Sequence, residues 1–467
     1  MKHFIFYTLI LLFVINQSVL SQETSETKDF INNPNLAHAA ISFEIADVSS
    51  GKIIASYNKD MVVTPASVMK LVTTSIASQI LGSNYTYKTP LFHDGMIDGS
   101  ILYGNLYIEG SGDPTLGTTF IGKDSLAFLK DFLSGVEQAG IKEIKGEIIA
   151  LDQLFGYKGI SQKWLVEDIG NAYATGIYGI SIFDNRYSLR LQSGVAGTPV
   201  KVLEIIPPIE GLSVRSEALS STAKSDNSSI FGIPFSNERI LSGTIPQNRN
   251  SFLTRGDIPD PGLFMAQTLK SFFEANNIFI EGEATTYRLL PLEPIEQEIL
   301  ATVSSPKLSE ILRVINFRSN NHYADHVYHL LTDVKNINPN TYWKGKGLDS
   351  SALFMYDGSG ISPINAISAS FLTDLLVYMY KQEGQTGVFY KSLPCAGKEG
   401  TVRGFLKGTA LEGRARIKSG SMSAVQSYAG YIEKADGKVY AFSLIVNNFT
   451  GSRSELRKAM ERLLLSF

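Results

Sequence analysis

The chain has 467 residues, 44% apolar and 19% charged, with a net charge of −3, the profile of an ordinary globular protein of about two or three domains. No basic stripe with interleaved aromatics appears, so nothing points to a nucleic-acid partner. The single cysteine, Cys395, excludes an intramolecular disulfide and reads as a small packed residue.

The first segment, MKHFIFYTLILLFVINQSVLSQ, places Lys2 ahead of an apolar core at residues 4–15, with Val19 and Ser21 before a cut near Gln22. That pattern predicts a signal peptide over residues 1–21, too short in its apolar part for a comfortable membrane span. The expected mature protein is exported to the periplasm or cell envelope and has no stable membrane anchor. Residues 22–36 are polar and read as loose. Residues 38–58 alternate around Ser49-Ser50-Gly51 and predict a hairpin.

A helix follows at TPASVMKLVTT, residues 64–74. Thr64 suits a cap and Pro65 the first helical position, and Leu71, Val72, Ile76 and Ile80 recur at helical spacing. Ser67 then lies in the first turn with Lys70 one turn later on the same face. An amine there can take the serine's proton, and the helix start favours negative charge. Ser-x-x-Lys occurs six times in the chain, but only this copy opens a helix that runs into an apolar stretch.

Residues 101–120 read as strands and turns, and 124–139 as a helix ending at Gly140. From about 145 to 250 the chain carries short β-like runs rich in Gly, Pro and Ser. Residues 260–278 predict an amphipathic helix, and two more helices follow, broken near Ser319. Residues 411–448 predict three strands, and the end of the chain a final helix. The simplest topology is one α/β (α+β) domain built from both ends, residues 22–95 and 255–467, with a β-rich insertion of one or more domains over 96–254.

Two further patterns join the first. Ser319-Asn320-Asn321 falls in the break between helices, and Lys418-Ser419-Gly420 on a predicted strand. The triplet Ser225-Asp226-Asn227 matches the usual middle motif more closely in letters, but it sits in a Ser-rich stretch without helical context and reads as a surface loop. Serine, lysine and glycine patterns in this order are the signature of penicillin-binding proteins and class A β-lactamases. The second serine and asparagine would hold the base and the substrate amide. The strand lysine would attract a substrate carboxylate, and the glycine would let substrate backbone lie along the strand.

The chain resembles the D-alanyl-D-alanine carboxypeptidase/endopeptidase family, the class C low-molecular-mass penicillin-binding proteins. Ser67 and Ser319 are 252 residues apart, a gap similar to that family's large insertion. Agreeing phrases include GNLYIEGSGDPTL (104–116), GEIIALDQLF (146–155), DGSGIS (357–362) and GKEGTVR (397–403). The resemblance implies a transpeptidase-like domain with a central antiparallel sheet flanked by helices. It implies Ser67 as acyl-forming nucleophile, Lys70 as base, Ser319 and Asn321 as the second motif, and Lys418, Ser419 and Gly420 as the third. It also implies an oxyanion hole from the Ser67 and Ser421 backbone N–H groups, and an acidic contact to the substrate's distal amine at Asp152. Peptidoglycan peptides are the implied substrates and β-lactams the covalent inhibitors, with no cofactor. Two departures stand out: Ser419 where many relatives carry Thr, and Pro363 where relatives often place an Arg near the terminal carboxylate. Alternatives are a β-lactamase or esterase on the same scaffold, or a non-catalytic wall-binding protein.

His322, His326 and His329 share a helix face, but Tyr323 stands where a zinc protease would place Glu, so structural packing or surface placement is the expected role. GSGDPTLG lacks the ending of a phosphate loop and reads as a turn. Trp164 is expected in a core at the interface with the insertion.

Overall fold

The computed structural model describes residues 24–122, 124–290 and 297–467. The predicted signal peptide lies outside them. Both ends of the chain supply one antiparallel sheet. Its strands are β1 (Ala40–Asp47), β2 (Ile53–Tyr57), β3 (Ala415–Met422), β4 (Val425–Glu433) and β5 (Val439–Asn447). The spatial order is β2-β1-β5-β4-β3, which leaves β3 at an edge. β1 runs against β5 from the Ala40–Asn447 pair to the Asp47–Tyr440 pair.

Strand alternation sends β5 side chains into two separate cores. Phe442, Leu444 and Val446 enter one, Ala441 and Ile445 the other. The helices that cover these faces are α1 (Lys70–Leu81), α2 (Leu308–Arg318), α3 (Asn321–His329), α4 (Ala369–Glu383) and α5 (Arg453–Leu465). Leu71 of α1, Ile315 of α2 and Leu376 of α4 pack with Ile445. Leu456, Met460 and Leu463 of α5 pack with Leu444 on the other side. Leu444 is 0% exposed, so its truncation to Ala costs about 2–5 kcal/mol.

The segment expected to be loose is ordered. Thr24 caps a helix over Ser25–Ile31 by accepting from the Thr27 N–H, and Phe30 and Leu36 are buried in the α5 core. Two isolated apolar residues in a polar stretch give no periodic signal, yet they suffice to pin it.

Between α1 and α2 the chain builds a third core. A mixed sheet runs Ala284–Thr286, Ile148–Leu151, Leu106–Glu109, Lys88–His93, Glu298–Ser304 in spatial order. The helices Ala127–Gln138 and Pro261–Ala275 cover it through Phe132, Val136, Met265 and Leu269. Smaller sheets around Arg186–Ser193 and Glu238–Pro246 share a fourth core containing Leu189, Leu191, Leu241 and Ile245. Ser225-Asp226-Asn227 is exposed there, in a turn where Asp226 accepts from Ser228.

Candidate active site

Ser67 does not sit in an α-helical turn capped by Thr64. It lies in a 3-10 turn, Ala66–Met69, that feeds α1 without a side-chain cap. Tertiary bonds displace the local preference of Thr64. Its N–H donates to Asn447 Oδ1 at 2.9 Å and its hydroxyl to the Pro363 carbonyl at 3.2 Å. Ala66 adopts a left-handed φ of 50°, a costly conformation for a non-glycine residue that the surroundings must hold. Ser427 of β4 helps by donating to the Pro65 carbonyl at 2.6 Å.

Gly420 explains why β3 can approach this turn. A Cβ there would meet Ser427 Oγ at 2.3 Å, the Pro65 carbonyl at 2.8 Å and the Ser67 nitrogen at 2.9 Å. The glycine therefore serves the packing of the strand on the nucleophile turn, beyond any freedom it gives a bound ligand.

Lys70 Nζ is 3.0 Å from Ser67 Oγ, 2.6 Å from Asn321 Oδ1 and 2.6 Å from the Ser359 carbonyl. Ser319 ends α2 with φ 55°, and the Asn320 side chain caps α3 by accepting from Tyr323. This break aims both Ser319 and Asn321 at the lysines. Asn321 Nδ2 also donates to the Tyr173 carbonyl at 2.8 Å, tying the motif to the insertion. Lys418 Nζ donates to Ser319 Oγ at 2.9 Å and to the Ser419 carbonyl at 2.5 Å. The structure thus links Ser67, Lys70 and Asn321 in one set of contacts, and Ser319 and Lys418 in another.

Both lysines are 0% exposed. Burial pushes the Lys70 ammonium down to about 8, opposed by the charges of Asp325 and Asp357. Burial and the neighbouring Lys70 push Lys418 well below the ordinary lysine range. Asp325, buried on α3, is driven up by burial and by Asp357.

The support beneath Lys70 comes from a turn that none of the three sequence motifs marks. Asp357 accepts from the Trp164 indole at 2.9 Å, the Gly360 N–H at 2.6 Å, the Ser362 N–H at 2.7 Å and Asn365 Nδ2 at 2.8 Å. That carboxylate shapes the turn whose Ser359 carbonyl receives Lys70. Trp164 carries the turn's link to the insertion, consistent with its expected interface position. An Asp followed by Gly and Ser marks a turn, but not one that a distant indole completes.

A cleft of about 570 Å³ opens over these groups. Ser67, Ser319, Asn321, Ser419 and Ser421 line its floor, with Asp168 and Tyr173 from the insertion and Arg453 and Arg457 from α5. Arg453 is bound to the Val425 and Met422 carbonyls. The Arg457 Nε is buried without a hydrogen-bond partner. Pro363 contributes no cation, and Arg457 went unnoticed because a lone Arg on an amphipathic terminal helix carries no motif. Asp152 is not among the residues lining the cleft. It is buried, accepts from the Tyr157 hydroxyl at 3.0 Å, and is shifted upward chiefly by burial.

Two of the three histidines are buried in packing, and His329 lies partly exposed beside Asp333. His322 lies 3.1 Å from the Thr175 hydroxyl, His326 2.9 Å from the Ser181 hydroxyl, and His329 2.6 Å from Asp333. Burial depresses His322 strongly and brings His326 down to about 4. Among the described residues no group of three or more His, Cys, Asp or Glu could hold a metal ion, and no helix is long and apolar enough to cross a membrane.

A serine turn and lysine beside the edge strand of a five-stranded antiparallel sheet, with helices on both faces and β-rich additions, define the fold of the penicillin-binding enzymes. The structure is similar to that of penicillin-binding protein 4 from Haemophilus influenzae, with a TM-score of 0.79 over 94% of this chain and 97% of that one at 20% identity. It also resembles a predatory endopeptidase from Bdellovibrio bacteriovorus, with a TM-score of 0.52, 16% identity and coverage of 91% and 93%. In sequence it is 26% identical to the D-alanyl-D-alanine carboxypeptidase of Actinomadura sp. strain R39, over 92% of this chain and 82% of the relative. Residues 24–466 match the D-Ala-D-Ala carboxypeptidase 3 (S13) family, and the chain belongs to it.

Proposed function

We propose that the protein is an exported serine-type DD-carboxypeptidase and DD-endopeptidase. It cleaves D-Ala–X bonds in peptidoglycan stem peptides and cross-links through an acyl-enzyme. The geometry around Lys70 carries this reading. A neutral lysine has two N–H donors, and Asn321 Oδ1 and the Ser359 carbonyl at 2.6 Å each take both. Its lone pair is then left for Ser67 Oγ, 3.0 Å away.

Lys70 takes the Ser67 proton as Oγ attacks the D-Ala carbonyl. The Ser67 and Ser421 N–H groups hold the oxyanion, where losing one donor costs about 2.7–4 kcal/mol of barrier. Ser319, held by Lys418, gives its proton to the departing amine and is reprotonated by the proton that Lys70 took, which leaves Lys70 neutral for the second step. Lys418, Ser419 and Arg457 meet the terminal carboxylate, with no help from position 363. Asp168, on the cleft wall, meets the distal amine in place of the buried Asp152. Water, deprotonated along the same path, then releases the acyl group. Penicillin acylates the same serine and leaves slowly.

Labelled penicillin is expected to mark the protein and not Ser67→Ala; equal labelling of both refutes the assignment. Incubation with muropeptides is expected to release D-alanine and remove cross-linked dimers, and the absence of both products refutes the activity.

A further inference from the structure

A second cavity, of about 490 Å³, adjoins the cleft. Arg313, Arg318, Lys398 and Arg403 line it, with Glu399 the lone acid. Glu399 is already committed: it accepts from the Cys395 N–H at 2.9 Å and lies 3.6 Å from Arg416. Arg313 and Arg318 lie over the Phe317 and Phe120 rings at 3.9 and 5.1 Å, which leaves their N–H edges free. None of the four cations forms an ion pair among the described residues. Four uncompensated cations in one hollow are unexpected on a chain whose net charge is −3.

Thr401 joins the two spaces. It lines both the cleft and this cavity, and its hydroxyl is 2.7 Å from that of Ser419. Ser419 belongs to the strand that faces the carboxylate of the departing residue, so the cavity lies beyond that carboxylate. Free D-alanine ends there. A peptide leaving group continues, and in a stem peptide it carries further free carboxylates.

We propose that this basic cavity binds the carboxylates of a peptidyl leaving group and so favours cleavage of cross-links over release of D-alanine. The inference rests on the catalytic reading above. Cations on a solvated rim act mainly through complementary charge, each with a modest effect that adds up over several groups.

The test compares the wild type with Lys398→Glu/Arg403→Glu, a change confined to exposed side chains. Three rates are measured: penicillin acylation, D-alanine release from a pentapeptide, and cleavage of a cross-linked peptide dimer. The expected result is a fall of about 10-fold in kcat/KM for the dimer alone. A dimer with amidated carboxylates on the leaving strand should be cleaved slowly by the wild type and no slower by the variant. Ser67→Ala protein should likewise bind the acidic dimer more tightly than the amidated one. Equal loss of all three rates, no loss of any, or indifference to amidation overturns the proposal. Failed acylation of the wild type would instead overturn the catalytic reading, with the binding comparison still deciding the cavity's role.

Discussion

Lys70 and Lys418 are both fully buried lysines hydrogen-bonded to motif side chains, yet their surroundings differ in kind. Around Lys70 the charges of Asp325 and Asp357 oppose burial and hold the ammonium near 8. Around Lys418 no carboxylate opposes it, and Lys70 adds repulsion. In the proposed function the first serves as a base, for which a value near 8 leaves part of it neutral at physiological pH. In the proposed function the second is half of an ion pair whose anion the substrate brings. Burying a charge costs heavily unless it is paired, so burial beside Lys70 pushes Lys418 toward its neutral form. A bound carboxylate reverses this, raising the Lys418 pKa and drawing in a proton. Affinity for a carboxylate ligand therefore rises as pH falls through the interval between the free and bound values.

The largest expected effect is on the base. Lys70→Ala should lower the second-order rate of penicillin acylation by about 10³- to 10⁴-fold, with folding checked by thermal melting. A loss under tenfold would mean that Lys70 is not the proton acceptor. Lys418→Ala should cost about 10²-fold, mostly in binding, because a carboxylate would enter a site with no buried cation. Calorimetry of a carboxylate ligand with Ser67→Ala, in two buffers of different ionisation enthalpy, should show proton uptake that Lys418→Ala removes. Uptake that survives that substitution would place the titrating group elsewhere. Gly420→Ala tests the contact between strand and turn. Its methyl must displace Ser427 Oγ or the Pro65 carbonyl, so acylation should fall about 10-fold with a small drop in melting temperature. Unchanged acylation would show that the turn tolerates movement.

Much of this arrangement could be read from the chain alone, for reasons that differ residue by residue. Ser67 and Lys70 are a single helical turn apart, so local geometry ties them wherever the helix goes. Ser319 and Asn321 straddle a helix break, which periodicity reveals. The strands at both chain ends followed from alternation, and their union in one central antiparallel sheet was implied by the resemblance. What sequence could not supply were contacts fixed only by folding. Thr64 prefers to cap, but Asn447 takes its backbone instead. Asp357 is completed by Trp164, 193 residues away in sequence. Arg457 carries no motif, the phrase GKEGTVR gives no sign that Lys398 and Arg403 share a cavity with Arg313 and Arg318, and Asp152, implied by the resemblance, lies outside the cleft lining. In each case the deciding term is a long-range contact whose partner has no fixed spacing.

Asp325 supplies the finest test of the contrast between the lysines. It is the leading charge that raises Lys70, while its own carboxyl is pushed up by burial. Asp325→Asn keeps the shape and removes the charge, so the Lys70 value should fall by about one unit. Since the base must be neutral to act, the rising limb of the acylation profile, expected near pH 8 in the wild type, should move to lower pH. At pH 7 the variant should then acylate about fivefold faster, and the two enzymes should converge above the wild-type limb. A limb that stays in place would show that Asp325 holds its own proton and lends Lys70 no charge. Asp357 would then be the charge that opposes burial at Lys70, and the difference between the lysines would rest on it.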